Sequence, residues 1–174
     1  MTTRLPPVIG FSAFSGTGKT TLLKKIIVLL RQRDIRLALI KHAHHAFEID
    51  YPGKDSFELR KAGAYQMLIS SATRKALVTE FEPFQEEPTL PDLINDLDHA
   101  NIDLILVEGF KREHFAKIEL HRAALNKPYL FQNDQDIIAL ATDHELNFET
   151  GLQVLDLNQP EMIADFIYQL VFPA

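Results

Sequence analysis

Ala13-Phe14-Ser15-Gly16-Thr17-Gly18-Lys19-Thr20 separates two apolar stretches, Val8-Ile9-Gly10-Phe11-Ser12-Ala13-Phe14 before it and Thr20 to Leu30 after it. The first reads as a short buried strand, and the second repeats its apolar residues at helical spacing. Strand, glycine loop and helix in that order make a phosphate-binding loop, and a nucleoside triphosphate becomes the first ligand to consider. Gly16 and Gly18 permit backbone angles that turn successive N–H groups around phosphate oxygens. The helix that follows adds its own unpaired N–H groups and the positive end of its dipole. On this reading Ser15 to Thr21 surround the phosphates, Lys19 reaches the β and γ phosphates, and the Thr20 hydroxyl holds Mg²⁺. Ala13 stands where the pattern usually has its first glycine. That position ends the strand, where a methyl group costs less than inside the loop. A glycine turn capping an ordinary helix is the plain alternative, and the flanking strand and helix outweigh it.

The 174 residues are read as a single nucleotide-binding domain, 1–174, long enough to bury a sizeable core. The net charge of -6 argues against nonspecific nucleic-acid binding, which needs a basic face, so any basic site must be local. The lack of cysteine excludes disulfides and thiolate metal sites and fits a reducing compartment. Residues 1–7 carry no signal-peptide core, and Lys24 and Lys25 interrupt an apolar run already too short to span a bilayer. The expected location is the cytoplasm, without a membrane or nucleic-acid partner.

Further strands are expected at Ile35 to His42, Ile102 to Val107, Ala116 to His121, Asp136 to Ala141 and Gln153 to Leu155. Pro160 to Val171 has the spacing of a closing amphipathic helix, and Pro91 starts a short one. Gln66 to Ser70 and Lys75 to Thr79, four residues apart, read as a hairpin. Glu80 to Pro91, with three prolines and four glutamates, reads as a solvated loop. Strands alternating with helices predict an α/β fold, a mostly parallel sheet covered by helices on both faces.

Ligands of such sheets gather at the carboxyl ends of the strands. Lys41-His42-Ala43-His44-His45 and Glu108-Gly109-Phe110-Lys111 therefore open on the same rim as the glycine loop. Glu108 ends a strand as the companion acid of a phosphate loop does, within reach of Mg²⁺ through water. Asp103 lies in the same strand and faces the opposite end of the sheet. His42, His44 and His45 are candidate metal ligands or a phosphate-facing cluster. Asp50-Tyr51-Pro52-Gly53-Lys54-Asp55-Ser56 is a turn by its Pro-Gly pair, with a switch over the γ phosphate as the alternative.

Together these segments resemble the MobB family, the molybdopterin-guanine dinucleotide biosynthesis adaptor proteins. The matching residues are Phe14 to Leu23, Leu39-Ile40-Lys41-His42 with His44 and His45, Asp50, Pro52 to Ser56, Arg60, and Ala62-Gly63-Ala64. They continue through Asp103 to Lys111 and Lys117-Ile118. The phosphate loop is common to many families, whereas the Lys-His and Pro-Gly-Lys-Asp-Ser blocks are particular to this one.

The resemblance implies a GTP-binding homodimer assisting the enzyme that attaches a guanine nucleotide to molybdopterin, with molybdopterin itself a further partner. It implies at most a slow GTPase, with Mg²⁺ held by Thr20 and Glu108, and dimer contact through strands outside the nucleotide core. The hairpin 66–79 is the candidate for that contact, since two strands alone are marginal. The guanine preference rests on the resemblance, because Asn126-Lys127-Pro128-Tyr129 lacks the acid of the Asn-Lys-x-Asp reader. Asp143, closing Ile137 to Asp143 at the rim, is the candidate base contact, with a turn or cap acid as the alternative. No residue is assigned a catalytic role, although Arg60 and Arg112 are available. A small-molecule kinase and a metallochaperone GTPase are the other readings. The missing arginine-rich lid weighs against the first, the missing cysteines and histidine tract against the second.

Overall fold

A computed structural model describes residues 5–43, 47–81 and 86–173. In chain order its elements are β1 (Val8–Ala13), α1 (Lys19–Arg31), β2 (Leu37–Lys41), α2 (Asp55–Lys61), β3 (Gln66–Ser70), β4 (Lys75–Thr79) and α3 (Leu90–Asn95). They are followed by β5 (Leu104–Glu108), β6 (Lys117–His121), β7 (Ile137–Thr142), β8 (Gln153–Asp156) and α4 (Pro160–Val171). The chain divides into two compact units, Met1–His42 with Leu90–Ala174, and Ala43–Thr89.

The larger unit holds one six-stranded sheet in the order β2-β5-β1-β6-β7-β8, every pairing parallel. The expected fold class is the observed one, a parallel sheet flanked by helices. β5 shows why its sequence is a continuous apolar run, as befits a strand buried on both faces. Leu104 and Leu106 enter the core formed with α1 and α4, while Ile105 and Val107 enter a smaller one with Leu90 of α3. α1 turns Leu22, Leu23, Ile26 and Leu30 inward. α4, opened by Pro160 in its first turn, answers with Ile163, Ala164 and Ile167.

β6 departs from that pattern. Its alternation Lys117-Ile118-Glu119-Leu120-His121 would ordinarily mark one wet face, yet all five residues are buried. Ile118 and Leu120 join the larger core. On the other face a stretch without an α-helix supplies the polar partners. Leu130 and Phe131 donate their N–H groups to the two oxygens of Glu119, each at 2.8 Å. Lys117 Nζ lies 2.9 Å from Asp134 Oδ2, and a ring nitrogen of His121 is 3.0 Å from the Lys127 carbonyl. Burial pushes the Glu119 carboxyl up, while the two amides pull it back.

The smaller unit contains α2 and the antiparallel pair β3-β4, the expected hairpin, in register from Gln66 opposite Thr79 to Ser70 opposite Lys75. α2 was not anticipated from the sequence. It spans seven residues, too few for periodicity to show, though its charges follow the helix dipole with Asp55 and Glu58 first and Arg60 and Lys61 last. Arg60 is buried and ion-paired with Glu48 and Glu80. Among the described residues, no helix is long and apolar enough to cross a membrane.

At the amino end of the sheet, away from the carboxyl rim as expected, Asp103 accepts hydrogen bonds from Arg36 Nε at 2.9 Å and Nη2 at 2.8 Å. It also accepts from the Arg36 N–H at 2.8 Å. These bonds lower the Asp103 pKa to about 2 from the ordinary 3.8. A depressed carboxylate contributes stability above its unfolded pKa and loses it as pH falls through the folded one. Asp103→Asn is therefore expected to be less stable than wild type at neutral pH, with the difference in urea midpoint closing as pH falls toward about 2.

Candidate functional site

The parallel sheet puts the ends of β1, β2, β5, β6, β7 and β8 on one rim. At the end of β1 the chain turns: Thr17 donates to the Phe14 carbonyl from its hydroxyl at 2.7 Å and from its N–H at 3.4 Å. Gly16 and Gly18 have φ of 85° and 92°, the left-handed region that favours glycine. Gly18 caps α1 without a side-chain hydrogen bond, and the first turn of the helix holds no acid. Its N–H groups and positive dipole end are thus left to an anion. Ser15, Thr20 and Thr21 are exposed and Thr17 is buried.

Glu108 ends β5 in register with Phe11 of β1 and Lys41 of β2. Its Oε1 lies 3.4 Å from Lys19 Nζ and its Oε2 3.7 Å from Lys41 Nζ. The structure thereby brings together the loop lysine and the strand-end acid. The next residue, Gly109, has φ 106°, and a Cβ there would fall 2.5 Å from the Cβ of His42. Phe110 follows at φ 52° with its ring centroid 4.8 Å from that of His42.

Two further cations border the loop: Lys111, which the sequence places on this rim, and Arg122, which the sequence reading does not single out. Lys111 Nζ donates to the Ala13 carbonyl at 3.0 Å, and Arg122 Nε donates to the Thr17 carbonyl at 3.2 Å. Burial, and then the charge of Lys19, lower the Lys111 pKa. Arg122 continues to Asp143, its Nη1 3.0 Å from Oδ2, while Asp143 Oδ1 accepts the Ala123 N–H at 2.9 Å. Burial raises the Asp143 pKa, but the Ala123 amide and the Arg122 charge outweigh it and leave the carboxylate below its usual range. Arg122 directly follows β6, so the rule of inspecting strand ends would have found it.

Two clefts lie along this rim. One, of about 230 Å³, is lined by Thr17, Gly18, Thr21, Lys25, Arg122 and Asn158. The other, open and about 870 Å³, runs over the ends of β7 and β8 and is lined by Asp143, His144, Phe148, Asp156 and Asn158 among others. Asn158 belongs to both. Of the histidine cluster, His44 and His45 lie outside the described residues. Among the described residues no group of three His, Cys, Asp or Glu is placed to hold a metal. Arg60, Asp50 and Lys54 belong to the smaller unit.

Residues 8–143 match the family MobB, described as molybdopterin guanine dinucleotide synthesis protein B. The chain is 51% identical over 164 residues to the molybdopterin-guanine dinucleotide biosynthesis adapter protein of Escherichia coli, covering 94% of this chain and 92% of that one. It is 42% identical over 161 residues to the protein of the same name from Haemophilus influenzae, covering 92% and 87%. The crystal structure of Bacillus subtilis MobB superposes with a TM-score of 0.72 at 22% identity, over 97% of this chain and 99% of that one. That likeness shows that the two chains share their fold.

Gly109 holds the residue after Glu108 in a conformation and a space that a side chain does not fit. Gly109→Ala is expected to lose about 1–3 kcal/mol of stability, read from urea denaturation. A variant as stable as wild type would show that the close approach to His42 relaxes freely.

Proposed function

Because the chain belongs to the MobB family, we propose that it is an adapter protein of molybdopterin guanine dinucleotide biosynthesis that binds GTP at Ser15–Thr21. The observation that carries this reading is the meeting of Lys19 with Glu108 at the uncapped start of α1. In the proposed complex, N–H groups of Ser15, Gly16 and Gly18 wrap the phosphates around the turn that Thr17 closes, Lys19 turns from Glu108 to the β and γ oxygens, and Thr21 adds its hydroxyl. A hydroxyl and a carboxylate are hard oxygen donors of the kind Mg²⁺ takes. Thr20 is exposed and Glu108 is held by ion pairs that a bound triphosphate would replace, so the two fit the ion, which would supply charge neutralisation at the phosphates.

Asp143 is kept as the base contact. Its carboxylate is presented at the rim by Arg122 and Ala123, beside the larger cleft. Turnover of GTP is proposed to be slow. Arg60 spends its guanidinium on Glu48 and Glu80, and Arg122 spends its own on the Thr17 carbonyl and Asp143, so neither is disposed as an arginine finger, while Arg112, the other arginine the sequence offers, is exposed.

We take 1–174 as one nucleotide-binding domain into which the segment with the hairpin is inserted between β2 and α3. The hairpin carries apolar residues on both faces. Leu68 and Leu77, opposite each other, are 62% and 59% exposed, and Met67 and Val78 lie on the other face. A hairpin of that kind is stable only when covered, which supports a homodimer formed through 66–79. The partners in this reading are the second copy, the enzyme attaching guanine nucleotide to molybdopterin, and molybdopterin; the location is the cytoplasm.

Competition between nonhydrolysable GTP and ATP analogues with Mg²⁺ is expected to favour GTP in wild type and to show little binding in Lys19→Ala. Equal or ATP-favoured binding would remove the guanine assignment. Light scattering is expected to find a dimer in wild type and a folded monomer in the double variant Leu68→Asp, Leu77→Asp; a dimer in both would exclude the hairpin as the contact.

A further inference from the structure

We propose that Lys111 is the residue by which this site distinguishes a nucleoside triphosphate from the diphosphate, a second phosphate-directed cation supplied by the same chain. The inference rests on the nucleotide reading above.

Lys111 belongs to the connection after β5, and its ammonium lies 3.0 Å from the carbonyl of Ala13, where the glycine loop leaves β1. It is near enough to Lys19 for the two charges to repel, and part of its surface is taken from water. Lys19 and Lys41 share the Glu108 carboxylate, whereas Lys111 is bonded to a neutral carbonyl. The arrangement leaves positive charge in excess beside the loop.

The backbone that delivers Lys111 is built rather than slack. Phe110 holds φ 52°, uncommon for a residue with a side chain, and Gly109 is pressed against His42. Immediately beyond, the Lys111 carbonyl accepts a hydrogen bond from Lys117 Nζ at 3.3 Å. Lys117 is itself 1% exposed and paired with Asp134 at 2.9 Å and Asp136 at 3.7 Å. Backbone strain held in place by surrounding structure accompanies ligand clamps. A purely structural tie to the Ala13 carbonyl needs only a neutral donor, and a neutral donor would escape repulsion by Lys19. A charged group at this position is favoured once a polyanion arrives, and the γ phosphate brings charge that a diphosphate lacks.

Isothermal titration of the imido analogue of GTP and of GDP, each with Mg²⁺, into wild type, K111M and K111R tests this. Wild type and K111R are expected to prefer the triphosphate analogue. K111M is expected to bind it about tenfold or more weakly, the scale of a hydrogen bond to a charged group, with GDP affinity changed less than about threefold. Equal weakening for both nucleotides, no weakening, or no triphosphate preference in wild type would overturn the role of Lys111 and leave the nucleotide site standing. Failure of wild type to bind either nucleotide would overturn the site itself and this inference with it. If K111M does not unfold cooperatively, K111Q, a neutral donor, gives the same comparison.

Discussion

β1 is hydrogen-bonded along both edges to strands running its own way, and this constraint decides where the charged groups of the larger unit gather. With β5 on one side and β6 on the other, Phe11 stands opposite Glu108 and Ala13 opposite Leu120, and the residues just past each strand converge on the loop. An antiparallel neighbour at either edge would send one of those connections to the far end of the sheet. The rim is basic although the chain carries -6 overall. Charges farther apart than a Debye length of roughly 8–10 Å are largely screened. An anion at the loop therefore meets Lys19, Lys111 and Arg122 before it meets the average of the surface, which is why composition excludes a nucleic-acid face without excluding a phosphate site.

The buried polar face of β6 serves the same rim. Glu119 and His121 hold the backbone between Leu130 and Phe131 and at Lys127, and Lys117 holds the segment from Lys111 to Asp134. Buried charges unpaired would be costly, and satisfied ones specify a single arrangement. Here they do what a covering helix does elsewhere in the sheet. They fix the two segments, 109–116 and 122–136, that carry Lys111 and Arg122.

Much of this was legible in the sequence where a rule of periodicity or spacing applied. The boundaries of α4, the hairpin and the parallel sheet follow from apolar patterning, and Lys19 and Glu108 follow from their places after strands. α2 was not legible, because seven residues make fewer than two full turns of pattern. The polar alternation of β6 gave its strand character but not its burial, since the same alternation describes a wet face, and the covering segment shows no periodicity of its own. Arg122 and Lys111 were visible as residues past strand ends, but their choice of loop carbonyls is a tertiary fact that no local spacing encodes. Arg60, free to be a phosphate contact on the sequence alone, is committed to Glu48 and Glu80.

Those carbonyl contacts explain how the loop can hold its shape before any ligand is bound. In a trans peptide the C=O and the following N–H point in opposite directions. Lys111 takes the Ala13 carbonyl, the Thr17 hydroxyl takes the Phe14 carbonyl, and Arg122 takes the Thr17 carbonyl. Each bond therefore turns one N–H, that of Phe14, Ser15 or Gly18, away from the group that holds the carbonyl. Three peptide planes of the loop are oriented by side chains of the protein itself, two of them cations. With the Phe14 and Thr17 carbonyls held by Thr17 and Arg122 whichever nucleotide arrives, the loop loses less conformational freedom on binding an anion than a slack glycine segment would. The two flexible residues, Gly16 and Gly18, supply the left-handed turns, and the side chains around them remove the freedom that glycine brings.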